Sequence, residues 1–225
     1  MAGASLDHAS AGSPRVAILR LHPNDDQGLA PMHRFRVSVL ASVLALSQIQ
    51  PAGAAELEGQ RFEDAVRVGE RDLVLNGLGL RSVFIVKGYV AGLYLPERAR
   101  SAEQVLAQSG PRRLVMKLLV DSSAERFAKA FAEGLRDNHA EAQLAALKEP
   151  AAQLQAAMLE IGGARKGDAI ALDFADGVTR LSFNGRPVGR PIAGEAMQAA
   201  ILRVFLGERP VDRRLKAGLL GGAGA

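Results

Sequence analysis

The chain has no cysteine and no tryptophan among its 225 residues, and holds four histidines and two tyrosines. The lack of cysteine removes disulfide frameworks, thiolate nucleophiles and cysteine-based zinc sites together, and is compatible with any redox compartment. At this length ~70% of the unfolded surface can be buried, so a core can form without a metal or disulfide as a staple. Histidine is scarcer than its count suggests, because His8, His22 and His33 lie near the N-terminus and only His139 falls beyond residue 54. A multi-histidine metal centre is thereby excluded, and Asp137-Asn138-His139 with Glu141 reads as a solvated helix-to-loop stretch; no metal is expected. Ser122 or Ser123 with His139 would need a nucleophile elbow, and no G-x-S-x-G occurs.

Aromatic residues make up 4% of the chain, and the formal net charge is +4, of which +3 remains beyond residue 54. The charges are interspersed, with no basic stripe alternating with stacking side chains, so nucleic acid is not an expected partner. Long hydrophobic runs are also missing. The run from Val37 to Leu46 is about half the ~20 residues that a membrane-spanning helix needs.

That run is nevertheless informative. Residues 32–55, "MHRFRVSVLASVLALSQIQPAGAA", place His33, Arg34 and Arg36 before it and Pro51 with small residues after it. This is the three-part form of a secretory signal, with cleavage expected before Ala55 and a periplasmic destination. Residues 1–31 are mixed and polar, and read as a mis-assigned start upstream of Met32 or a disordered extension. The signal occupies 32–54, the folded domain 55–225, and no stable membrane span is expected after cleavage.

From Arg61 the pattern is strand-like: "RFEDAVRV", a turn at Gly69-Glu70, "DLVL", and then Asn76-Gly77, a dipeptide typical of hairpin turns. Val83 to Leu95 is too short for a membrane span and rich in β-branched and aromatic residues, so it reads as one strand; "RRLVMKLLV" (112–120) reads as another. Ser101 with Gln104, and Ser122 with Glu125, have capping-box spacing. Ala124, Phe127, Ala128, Phe131 and Leu135 then recur at helical spacing. Pro150 looks like a helix start, with Leu154, Met158 and Ile161 following before Gly162-Gly163. "DAIALDFA" and "VTRLSF" flank an Asp176-Gly177 turn, Asn184-Gly185 marks another, and Met197, Ala200, Ile201, Val204 and Phe205 share a last long helix face ending at Gly207. Strands, helices and strands again, joined by tight turns, predict an α+β domain with a mainly antiparallel sheet and helices on one face.

One stretch, "NGLGLRSVFIVKGYVAGLYLP" (76–96), carries the chemistry. Its glycines lack both the dinucleotide fingerprint and the Walker spacing, so they read as turn and bulge residues of a sheet. On a period of two, Arg81, Lys87 and Tyr89 fall on one face, with Val90, Gly92 and Tyr94 on the other. A guanidinium on an apolar face must meet an acidic side chain or a ligand anion. A straight strand would hold Arg81 and Tyr89 ~26 Å apart, so a shared ligand requires the chain to bend, with a bulge at Gly88 as the natural place.

"LNGLGLRSVFIVKGYVAGLYLP", followed by "KGDAIALDF", "FNGRPVGRPIAG" and "ILRVFLGERPVDRRLKAGLLG", resembles the bacterial secreted branch of the chalcone isomerase-like proteins, from about Arg61 to Gly221. The resemblance implies an open-faced β-sandwich: a large antiparallel sheet covered by helices, with a ligand cleft between. Plant enzymes of this fold close a chalcone to a flavanone with a strand arginine that stabilises enolate charge. Non-catalytic relatives bind fatty acids through the arginine and a tyrosine. Arg81 matches the arginine of both groups. Tyr89 stands where the enzymes have threonine, Val204 replaces a hydroxyl residue, and Phe127 stands near the position of an expected tyrosine.

The leading expectation is therefore a periplasmic protein binding a small amphipathic carboxylate such as a fatty acid, with Arg81, Tyr89, Phe127, Phe131 and Val204 at the ligand and no cofactor. The alternative is an isomerase or intramolecular lyase acting on an unknown enone-like substrate, with Arg81 and Tyr89 as catalytic groups. A third reading is a domain with a filled cleft and an ion-paired Arg81.

Overall fold

A computed structural model describes residues 53–222, so the reading of residues 1–31 and nearly all of the signal segment lie outside the described residues. In chain order the elements are β1 (Ala54–Leu57), β2 (Gln60–Glu63), β3 (Ala65–Val68), β4 (Arg71–Val83), β5 (Val86–Leu95), α1 (Ala102–Ala107), β6 (Arg112–Leu118), β7 (Ser122–Ser123), α2 (Ala124–Asn138), α3 (Glu141–Glu160), β8 (Gly163–Ala164), β9 (Ala169–Ala175), β10 (Val178–Phe183), β11 (Arg186–Ala193), α4 (Glu195–Leu206) and α5 (Arg213–Leu219). Seven strands form one sheet in the order β11-β10-β9-β6-β5-β4-β3, and every pairing is antiparallel. The fold is α+β, as the sequence predicts.

Alternation along β5 sorts two cores. Tyr89, Ala91, Leu93 and Leu95 pack with the inward faces of β6 and β9 and with the helices, in a cluster that includes Phe131, Leu154, Ile201 and Val204. Val90 and Tyr94 point the other way, to Phe62, Leu73 and Leu75 beneath the β1–β2 ribbon. Gly92 makes room for that ribbon, since a Cβ there would lie 2.8 Å from the Phe62 ring. Each apolar face is thus buried against its own cover, which is the condition for a sheet to be stable in a layered domain.

The helices follow their sequence signals with two differences. Ser123, not Ser122, caps α2, its side chain accepting from Arg126 N. Pro150 does not start a helix but sits inside α3. A proline leaves one carbonyl of the preceding turn without its donor and opposes the helix by ~3 kcal/mol. Leu147 before it and Leu154 and Met158 after it are all buried in the same core, so tertiary packing holds the two halves as one helix.

The largest departure concerns residues 76–95. Asn76-Gly77 does not turn the chain; both residues lie within β4. The reversal occurs at Phe84-Ile85, so the single strand expected over Val83–Leu95 is the end of one arm of a hairpin and the whole of the other. The pairing register shifts twice, leaving Asn76 and Gly88 as extra residues. Asn76 is bulged because its amide is used elsewhere: it donates to Leu219 O at 2.6 Å and accepts from Ala99 N at 2.7 Å, closing two buried backbone groups from distant segments.

Gly77 adjoins the Asn76 bulge and Gly79 lies in the regular ladder; neither turns the chain. A Cβ on Gly77 would overlap the Gly218 carbonyl, and one on Gly79 the Leu215 carbonyl. The two glycines form a smooth track on which the backbone of α5 lies. Asp212 caps that helix, accepting from Arg214 N and Leu215 N, and its other oxygen accepts from Ser82 N at 3.2 Å. The C-terminal helix is thus pinned beside the functional arm of the hairpin.

Candidate functional site

The turn at Phe84-Ile85 folds β5 back along β4, and Arg81 becomes the direct cross-strand partner of Tyr89. Opposed residues in an antiparallel pair have Cα atoms ~5 Å apart, in place of the ~26 Å expected along a straight strand. Gly88 is a bulge as expected, but the hairpin rather than the bulge brings the two polar groups together. The bulge has a different effect. It inverts the alternation beyond it, so Lys87, expected on the face of Arg81 and Tyr89, turns to the β1–β2 side, where its Nζ meets Glu58 at 2.7 Å.

Arg81 and Tyr89 border a cavity of ≈ 460 Å³ between the sheet and the helices. Phe127 and Phe131 of α2 and Val204 of α4 also line it, so all five residues singled out from the sequence border one space. Its floor consists of Met116 and Leu118 of β6 with Ile170 and Leu172 of β9, and Met158 closes one side. These floor residues were legible only as core, because alternation does not distinguish a side chain facing a cavity from one facing another side chain. Ser122 and Arg126 are further polar lining residues that the sequence did not single out.

The polar groups of the wall are few and mostly uncommitted. Among the described residues no ion pair or side-chain hydrogen bond engages Arg81. The nearby carboxylate of Asp212 is occupied by three backbone N–H groups, of Ser82, Arg214 and Leu215. A filled cleft with an ion-paired Arg81 would look otherwise. His139 is C-terminal to α2 and Ser123 N-terminal to it, which separates them by ~24 Å and removes the hydrolase arrangement.

Burial pushes the Tyr89 phenol well above its ordinary range; the Arg81 guanidinium pulls it back in part, and Asp212 adds to the rise. Tyr89 is therefore a neutral hydrogen-bond donor at any physiological pH. Tyr94, on the opposite face, is pushed up to about 12, first by burial and then by Glu63, against the pull of Arg113. The folded state retains protons that unfolded tyrosines release near pH ~10, so stability is unaffected by these groups below that value and falls as pH rises above it. With only two tyrosines and no tryptophan in the chain, the tyrosinate absorbance band reports both groups cleanly. It should stay silent through pH ~10 and rise together with loss of the circular dichroism of the fold; ionisation near pH ~10 in the intact protein would contradict the burial of these rings.

A family model described as chalcone isomerase-like matches residues 54–221. No curated protein matches the chain. Among solved structures, a fatty-acid binding protein of Arabidopsis thaliana is similar in fold, with a TM-score of 0.57 at 14% identity over 75% of this chain and 96% of that one.

Proposed function

Because the chain belongs to the chalcone isomerase-like family, we propose that it binds a small amphipathic carboxylate, most simply a long-chain fatty acid, with the carboxylate on Arg81 and Tyr89 and the acyl chain in the cavity. One observation carries this reading: the two donors stand opposite each other on the wall of a space whose other lining is almost wholly apolar. A cavity of ≈ 460 Å³ falls within the ~300–1,000 Å³ usual for small-molecule sites. A guanidinium and a neutral phenol give a carboxylate charge-assisted and neutral hydrogen bonds without a competing base. The fatty-acid ligand of the Arabidopsis protein of similar fold supports the choice of an acyl chain.

The test is native mass spectrometry of the protein as recovered from its producing cell, with lipid extraction of the same sample. Co-elution with an acyl carboxylate, or palmitate binding by stripped protein, is the expected result. Protein that carries none and shows no affinity for palmitate would sink the proposal. The signal-like segment supports a periplasmic site of action, and the protein from the periplasmic fraction should begin at or near Ala55. Recovery only from the cytoplasm with the segment intact would argue against it.

The same donor pair favours a second reading, because an enolate oxygen formed during intramolecular addition to an enone would need the same groups. Turnover of chalcone above the uncatalysed rate, lost in the Arg81 variant, would establish it. A background rate with chalcone and with related enones would leave this reading only a substrate outside that class, and favours binding.

A further inference from the structure

The β4–β5 hairpin ends in four consecutive apolar residues, Val83-Phe84-Ile85-Val86. Phe84 is 99% exposed and Ile85 96%, and the two valines are each about half exposed. A lone exposed apolar residue is ordinary, but a run of four at the tip of a projecting hairpin is not. Phe84 also has φ 54, a left-handed conformation that glycine or asparagine adopts at little cost and a bulky residue does not. An aromatic ring is held here against both its backbone preference and its solvation, and no contact within the described residues repays either.

The surroundings define what the tip fits. Arg81 and Lys87 flank it on the two arms, and Arg213 and Arg214, both exposed, stand beside it because Asp212 bonds Ser82. The two carboxylates bonded to these segments are already engaged. Glu58 is held by Lys87, and Asp212 by backbone N–H groups. An apolar tip within a ring of excess positive charge is complementary to a bilayer that carries anionic headgroups over an apolar interior. The tip is also continuous with the cavity, since Val83, Phe84 and Val86 belong to its lining.

We propose that the Val83–Val86 tip docks the protein on anionic membrane surfaces, entering the boundary between headgroups and acyl chains and bringing the cavity mouth against the lipid. The docking stands on the tip and its charges alone; that docking loads an acyl carboxylate rests additionally on the binding function proposed above.

Cosedimentation with vesicles separates the two. The probes are vesicles of phosphatidylcholine and of phosphatidylcholine with phosphatidylglycerol, and the variants are Ile85→Asp, outside the cavity lining, and Arg213→Glu with Arg214→Glu. Comparing variants of one chain cancels any contribution of the apolar N-terminal segment. The unaltered protein should bind the phosphatidylglycerol vesicles more tightly than the neutral ones. Ile85→Asp should lower that binding at least about tenfold, and the double arginine variant should remove the preference for anionic lipid. Circular dichroism should remain unchanged in both, because the altered side chains are exposed. Palmitate binding in solution, measured separately, should be retained by Ile85→Asp. Vesicle binding equal in the unaltered protein and Ile85→Asp, or absent in both, overturns the proposal. So does concentration-dependent self-association without vesicles that Ile85→Asp abolishes, which would make the tip a contact between two copies. Loss of palmitate binding in the unaltered protein would overturn the binding function while leaving the docking result standing.

Discussion

Replacing Arg81 by methionine should lower affinity for a long-chain carboxylate about 100-fold, with little change in the fold. The magnitude follows from hydrogen bonds to charged groups, worth ~1.5–3 kcal/mol each and made here in a poorly solvated cavity. Methionine retains an apolar stem against β4 and adds no charge, so the loss reports the guanidinium rather than packing. The side chain has no ion-pair partner among the described residues, so its removal strands no carboxylate, and thermal stability should move little. Calorimetric titration with palmitate measures the effect, and the corresponding alcohol serves as control: its weaker binding should be nearly indifferent to the substitution. Equal affinities of both proteins for palmitate would exclude Arg81 as the anchor. Tyr89→Phe should cost less, about threefold to tenfold, because a neutral donor contributes ~0.5–1.5 kcal/mol.

Gly79→Val should destabilise the protein by about 3–5 kcal/mol, a large effect for a change outside the central core. Its Cβ would overlap the Leu215 carbonyl. Backbone on one side and sheet on the other leave no flexible side chain to yield. The helix cannot retreat without losing the burial of Leu215 and Leu219, both 0% exposed, the Asn76 bond to the Leu219 carbonyl, and the bond from Ser82 N to Asp212. For a domain of this size each kcal/mol lowers Tm by ~2–4 °C, so a fall of ~10 °C is expected in a calorimetric scan. Because α5 holds Ser82 beside Arg81, palmitate affinity should also fall, which distinguishes loss of this support from a remote destabilisation. Gly59→Val offers the contrast, since that glycine has φ 73 but nothing within 4 Å of an added Cβ; its cost is confined to backbone strain of ~1–2 kcal/mol.

The sequence carried the architecture because the architecture depends on local signals. Asp176-Gly177 and Asn184-Gly185 turn the chain where their dipeptides predict, and Phe127, Phe131 and Val204 reach the cavity because helical periodicity fixes their faces. The hairpin at Phe84-Ile85 was hidden for a physical reason. Its turn uses two bulky apolar residues, one in a left-handed conformation, while the dipeptide that advertises a turn, Asn76-Gly77, serves long-range contacts instead. Asn76 bonds segments 143 and 23 positions away in sequence, and nothing local announces either partner. The pairing of Arg81 with Tyr89 was invisible for the same reason, since it depends on where the chain reverses. The cavity floor stayed unread because volume left empty has no sequence signature.

The bulge at Gly88 divides the hairpin into two parts with different freedoms. Below it, strand pairing with β6 and the track under α5 lock each residue to a face. Beyond it, Ser82 is held to Asp212 and Lys87 to Glu58, while Val83 and Val86 pair only with each other in the sheet. Val83–Val86 is therefore an exchangeable cassette on a fixed base. One residue added to each arm would push the tip outward by ~3.4 Å, and new side chains could be written into it, without changing which atoms of Arg81 and Tyr89 confront the cavity. Relatives with this bulge could vary in the reach and polarity of the tip while keeping the same grip on a ligand, so the outer end of the hairpin is where a common binding site could be adapted to different surfaces.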